Sequence, residues 1–359
     1  MQHVIGRYIP VEIKINKSEQ GFSLLELVVS MTIFMIVSGS VWGVLRVAQI
    51  SRSTVSQQVQ LAKNVRLALN IIGRDTFNAG YAYPLGNTVV LPDNRISTLL
   101  GIPVDFDTTR DTVPPIIAGN NITTDTFNTV ANTKTDQVTF LFKDSTFNIV
   151  GSAGPPDTRV SQGLSGDAST LTVDGFFTIS ATSGTNAVCN LNDIYLISGS
   201  STSTLGVVTA KSNANGVQFS TGDLLGFNQT GVANPIGTTA TIQRVKMVTY
   251  FVDSVGTLTR RVFGNVLPAV AFVDEPLVYN VDDFQIKYVM NDGTLTDNPS
   301  AGPDGIAGTA DDVQANLAAV RQVRFTVSVR STELNTSGQP YRETMTSTFS
   351  TRNLGYDAS

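Results

Sequence analysis

"SEQGFSLLELVVSMTIFMIVSGSVWGVLRV", Ser18 to Val47, decides how the rest of the chain is read. From Phe22 to Leu45 it runs for 24 residues with Glu26 as the only charge. At about 1.5 Å of rise per residue, a helix of that length reaches roughly 36 Å, more than the hydrocarbon core of about 30 Å. A buried core helix would carry a polar stripe, and none interrupts this run before Arg46. The run therefore predicts a membrane-spanning helix. It is not a secretory signal peptide, whose apolar segment spans about 7–15 residues and leads into a small-residue cleavage site. Here the run is longer, no such site follows, and a 21-residue polar leader precedes it, holding Arg7, Lys14 and Lys17 against Glu12 and Glu19.

A carboxylate within a spanning helix costs about 2.5–3.5 kcal/mol at the centre and less near an end. Something must compensate Glu26. A cut between Gly21 and Phe22 would free an α-amino group to pair with it. Within one straight helix the two groups lie about 6 Å apart along the axis, so the amine of an adjacent, shifted copy is the better partner. That arrangement accounts for the glycine, the phenylalanine and the glutamate together.

Gly21-Phe22-Ser23-Leu24-Leu25-Glu26 resembles the type IV prepilin motif of type IV pilins and type II secretion pseudopilins. The resemblance implies that a membrane-embedded prepilin peptidase cuts after Gly21 and methylates Phe22. It also implies that Glu26 helps dock the subunit into a growing filament of other pilin or pseudopilin subunits at an inner-membrane assembly platform. Basic residues lie on both sides of the helix, so counting them does not orient it. The family topology implies a cytoplasmic leader and a single-pass inner-membrane anchor, with the remainder exported into a pilus or periplasmic pseudopilus.

Beyond Arg46 a helical pattern continues. Val55, Val59, Ala62, Val65, Leu69 and Ile72 recur at three- and four-residue steps, with Arg52, Gln57, Lys63, Asn70 and Arg74 between them. One continuous helix from about Phe22 to Ala79 is predicted, roughly 87 Å long, with Gly73 as a weak point. Asn78-Ala79-Gly80 supplies the stop, glycine taking the left-handed position after the last turn. Tyr81 to about Asp136 reads as loop-rich because of Pro84, Pro92, Pro103, Pro114 and Pro115. Strand signals follow in "DQVTFLFKD", "LTVDGFFTIS", "NDIYLIS" and "NGVQFS", separated by Gly/Ser/Thr/Asn tracts.

The clearest β unit is "QRVKMVTYFVDSVGTLTRRVF", Gln243 to Phe263, two alternating strands joined at Asp253-Ser254-Val255-Gly256. "LVYNVDDFQIKYVM", Leu277 to Met290, reads as the next strand, then "AAVRQVRFTVSVRS" and "YRETMTSTFSTRN". Pairing in order, these predict an antiparallel sheet packed on the amphipathic half of the helix, an α+β, pilin-like head. The valine-rich strand with Tyr250, Gly256 and Leu258 before Arg260, "VDDFQIKY" and "VRQVRFTVSVR" are similar to the PilW-type minor pilins and GspJ-type minor pseudopilins. "RLALNIIGRDTFNAGY" is similar to the PilW type. The expected organisation is a leader at 1–21, a spanning or filament-core helix at 22–45, its amphipathic continuation at 46–80, a loop-rich β region at 81–240 that reads as an insertion, and a β-sheet region at 241–359.

The 359-residue chain carries a net charge of −5, which becomes −6 without the leader, and has no basic block, so nothing predicts nucleic-acid binding. Its single cysteine, Cys189, cannot form an intrachain disulfide. The only histidine, His3, lies in the leader, which excludes a mature Ser-His-Asp or Cys-His site and a histidine-bound zinc. No enzymatic role is expected. "MNDGTLTDNPSAGPDGIAGTADDVQ", residues 290–314, gathers Asp292, Asp297, Asp304, Asp311 and Asp312 among glycines. Carboxylates and carbonyls on a tight loop are ligands for Ca²⁺, and the segment resembles acidic loops of exported calcium-binding proteins without matching the EF-hand order. A solvated hairpin loop whose aspartates cap turns is the equal alternative. The function these features predict is a minor pilin or pseudopilin that initiates or assembles a filament. The rival is a membrane-anchored adhesin or ligand-binding protein whose Thr/Ser/Asn-rich middle binds a surface.

Overall fold

The computed structural model describes residues 22–84, 89–103, 111–124, 134–144, 162–165, 177–180, 191–198, 203–211, 216–220, 222–228, 239–264, 271–299, 319–334 and 338–351. The leader, Cys189 and most of the acidic segment lie outside them. The chain divides into two compact units, residues 1–56 and 57–359, and the first helix, α1 (Leu24–Asn78), contributes to both. In chain order there follow β1 (Val89–Leu91), α2 (Arg95–Leu100), β2 (Asp111–Thr112), β3 (Ile116–Thr124), β4 (Lys134–Lys143), β5 (Gln162–Ser165), β6 (Phe177–Ser180), β7 (Ile194–Ser198) and β8 (Ser203–Val207). Next are β9 (Ala210–Lys211), β10 (Gly216–Gln218), β11 (Thr239–Val252), β12 (Leu258–Phe263), β13 (Phe272–Val278), β14 (Val281–Met290), β15 (Leu295–Thr296), β16 (Val320–Leu334) and β17 (Pro340–Ser350). The architecture is α+β, as expected.

The strands form two sheets, not the single sheet expected from the carboxyl-terminal pattern. β1 to β13 make one sheet, and β14 to β17 make a second in the order β15-β14-β16-β17. Apart from the parallel β1–β8 pair, neighbours among the described strands are antiparallel. The long β11 organises the first sheet. Its amino-terminal half is flanked by β7 and β5, and its carboxyl-terminal half by β4 and β12. Strands from the stretch between 89 and 218 are therefore interleaved with β11 to β13.

The predicted hairpin is present between β11 and β12. Asp253 Oδ1 accepts the N–H groups of Val255 and Thr257, and Gly256 takes a left-handed φ of 77°. By contrast, the predicted strand Leu277 to Met290 is broken at Tyr279-Asn280. β13 ends in the first sheet and β14 begins the second, with Asn280 at a left-handed φ of 57°. Val-Tyr-Asn-Val has the composition of a strand, but asparagine tolerates the left-handed region, and that lets the chain change sheets within two residues.

Within the unit 57–359, the helix face made by Val65, Ala68, Leu69 and Ile72 enters a core shared with both sheets. That core includes Val138, Phe140 and Tyr250 of the first sheet and Phe284, Phe325 and Val327 of the second. The first sheet buries its other face as well, where Leu141, Leu196 and Met247 meet Ile96 and Leu100 of α2. This explains why β4 is buried at every position after Lys134. Val55 and Val59, expected on the packing face, are 55% and 61% exposed. Apolar packing begins only at Leu61, where the helix meets the core. Gly73 does not weaken the helix. It is buried where the Phe349 ring crosses the helix, and a Cβ there would sit 2.3 Å from that ring. The stop is as read: α1 ends at Asn78 and Gly80 has a φ of 74°. The exit is then stitched to β4, with Gly80 N–H donating to the Leu141 carbonyl at 2.9 Å and Lys143 N–H to the Tyr81 carbonyl at 3.0 Å.

Candidate functional site: the amino-terminal helix and its anchor

Every apolar residue named between Phe22 and Ile50 is exposed, from Phe22 at 85% to Ile50 at 41%. A continuous apolar cylinder without a covering partner costs free energy in water at roughly 25 cal/mol per Å², so it belongs in lipid or against other helices. Three of the hydroxyls in it are already satisfied. Ser30 Oγ donates to the Leu27 carbonyl at 2.9 Å, Thr32 Oγ1 to Val28 at 2.8 Å and Ser40 Oγ to Val37 at 2.7 Å. Hydroxyls turned onto the helix's own carbonyls present no free donor to hydrocarbon, the condition a spanning segment must meet. By length and composition α1 is able to cross a membrane.

At its start the helix is closed by its own side chains. Ser23 N–H donates to Glu26 Oε2 at 3.3 Å, Leu25 N–H donates to Ser23 Oγ at 3.3 Å, and Leu27 N–H makes the first helical bond to the Ser23 carbonyl at 3.2 Å. This is a capping box in a variant form: Glu26, three residues on, reaches back to the Ser23 N–H, while the Ser23 hydroxyl takes the N–H two residues on instead of three. The pattern Ser-x-x-Glu ahead of an apolar run was available in the sequence, and reading Glu26 only as a partner for an amine missed it. The helix dipole adds to the effect, since a carboxylate in the first turn is favoured by about 0.3–1 kcal/mol. Thus Glu26 has a local partner in the uncut chain. Of the expected processing residues, Phe22 is exposed and outside the helix, while Gly21 lies beyond the described residues.

The other end of α1 is tied to the first sheet by a buried polar network. Asp75 Oδ2 accepts from Tyr250 Oη at 2.6 Å and from Arg260 Nε at 2.8 Å, and Arg260 Nη1 donates to Glu275 Oε2 at 2.7 Å. Asp75 is 2% exposed and Tyr250 is fully buried. Burial and the Asp75 charge together push the Tyr250 hydroxyl well above its ordinary pKa, so it serves as a donor. Burial alone would pull Arg260 down, but Asp75 and Tyr250 raise it above its usual value. Sequence reading singled out Tyr250 and Arg260 without their partner, because the pairing spans 175 and 185 residues.

In the acidic segment, Asp292 and Asp297 do not converge on one point by any contact. Asp292 Oδ1 accepts the N–H and the hydroxyl of Thr294 in the β14–β15 turn, which lowers its pKa, and Asp297 pairs with Lys287 at 2.9 Å. Asp304, Asp311 and Asp312 lie outside the described residues. Among the described residues no group of three or more Asp, Glu, His or Cys is placed to hold a metal ion.

A search of curated proteins and a search of solved structures return no match to this chain. A family model described as the prokaryotic N-terminal methylation motif matches residues 16–42. The matched stretch contains Gly21, Phe22, the Ser23–Glu26 capping box and most of the exposed apolar run, so the chain carries a prepilin-type methylation signal at the start of α1.

Proposed function

We propose that this chain is the precursor of a minor type IV pilin or pseudopilin, a structural subunit that assembles or initiates a filament. The observation that carries the reading is the methylation motif at residues 16–42 lying on the exposed, capped apolar helix. Before assembly α1 holds the subunit in the inner membrane. A prepilin peptidase cuts after Gly21 and methylates Phe22. The carboxylate of Glu26 then pairs with the amine of a neighbouring subunit, and apolar helices replace lipid around one another. The 57–359 unit, with its two buried faces, is the exported head. Its size favours a tip or initiating position over a repeating shaft.

The test is the amino-terminal mass of the full chain recovered from membranes that contain an active prepilin peptidase. A chain beginning with methylated Phe22 is the expected result. A chain still carrying residues 1–21 overturns the reading. In the processed protein Glu26→Ala blocks incorporation into filaments, scored as loss of the subunit from sheared or pelleted filament fractions.

A further inference from the structure

The capping box points to a role for Ser23 that neither the methylation motif nor docking by Glu26 assigns. We infer that Ser23 is a positioning residue for the cut after Gly21: its side chain ends the helix at Leu24 and so keeps Phe22 out of helical backbone. This rests on the processing reading above.

A protease binds its substrate with the backbone N–H and carbonyl of the flanking residues free for its own use. Within a helix those groups are engaged. α1 is apolar on all sides from its first turn, and nothing in Phe22 itself prevents helix from running back through it, since phenylalanine is a passable helix former. What opposes that extension is Ser23, whose Oγ accepts the Leu25 N–H that would otherwise be left without a partner at the start of the helix. The Glu26 carboxylate occupies the Ser23 N–H from the other side. Phe22 and Leu27 also fill the two apolar positions that flank a capping box and fix the direction of chain entry. Phe22 accordingly stands outside the helix and is 85% exposed.

The experiment follows the rate at which the full, membrane-inserted chain is converted to a product beginning at Phe22 by a prepilin peptidase, read by intact mass. Ser23→Ala slows the cut by roughly five-fold, the factor set by the loss of a typical side-chain cap. Ser23→Thr and Ser23→Asn, which cap with different chemistry, stay within about two-fold of the wild type. Slower amide exchange at Glu26 in micelles accompanies the Ala substitution alone, because helix running back through Phe22 bonds that N–H to the Phe22 carbonyl. Equal cutting of Ser23→Ala and wild type overturns the inference. So does an Asn variant as slow as the Ala variant, since that outcome assigns the hydroxyl to direct recognition by the peptidase. A wild-type chain that is never cut overturns the processing reading, and the inference with it.

Discussion

Asp75 and Glu26 are the only acidic residues in the 55 positions of α1; Glu26 caps its start and Asp75 ties its last turns to the first sheet. Glu26 works beside the helix start, where the dipole and one N–H suffice. Asp75 works inside the protein, where a carboxylate is tolerated only with strong donors, and it has two on the same oxygen. Removing it leaves the half-buried Arg260 with Glu275 as its remaining carboxylate and the buried Tyr250 hydroxyl without its acceptor. Asp75→Ala is expected to lower the stability of the head by about 1.5–3 kcal/mol, read from denaturant unfolding of the full chain in detergent. Asp75→Asn keeps an acceptor and loses less. The double variant with Arg260→Ala loses less than the sum of the two single variants, because both single variants remove the same Asp75–Arg260 contact. Additive losses would show that the network does not act as a unit.

For the helix as an element, side-chain spacing alone assigned one apolar face to positions 55–72. Only the portion from Leu61 onward is covered. The distinction arises because an apolar face is a property of the helix, whereas its cover is a property of what stands beside it. Gly73 makes the same point. By propensity it costs about 1 kcal/mol against alanine. In the structure the missing Cβ lets Phe349 of β17 lie directly on the helix backbone, with its ring 6.1 Å from that of Phe325. Gly73→Ala forces the ring to move by more than 0.5 Å, an overpacking cost of about 1–3 kcal/mol that outweighs the propensity gain. A net loss of about 1 kcal/mol is expected by thermal melting. Combining it with Phe349→Leu restores the loss; a stabilised single variant would refute the close packing.

On the scale of the whole head, a single carboxylate bridges the two sheets. Asp136 lies on β4, 2% exposed. Its Oδ1 accepts Asn121 N–H at 2.9 Å from β3, and its Oδ2 accepts Ile286 N–H at 2.7 Å from β14 of the second sheet. Burial raises its pKa to about 6, the two N–H groups oppose the rise, and the charges of Asp297 and Asp283 reinforce it. Since the folded state holds this proton more tightly than the unfolded chain, the contribution is complete below about pH 4 and is lost as pH rises through about 6. The loss amounts to about 3 kcal/mol. In Asp136→Asn this part of the pH dependence between 4 and 7 disappears, so the difference in unfolding free energy between wild type and variant varies with pH. A constant difference across that range would refute the assignment.

What the sequence by itself determined is what depends on neighbours along the chain. The apolar run, the prepilin-type motif, the continuous helix with its stop at Asn78-Ala79-Gly80 and the β11–β12 hairpin are all set by a few residues' spacing and backbone preferences. The Ser23–Glu26 box belongs to the same group, legible in four residues. Only the tertiary structure decided the division into two sheets at Asn280, the interleaving of β4 and β7 with β11, the partners of Asp75 and the bridging position of Asp136. Each of these joins segments more than about 40 residues apart, or turns on one residue's choice between two backbone regions of small energy difference. Such choices are settled by the burial of whole faces, a quantity that no local stretch contains.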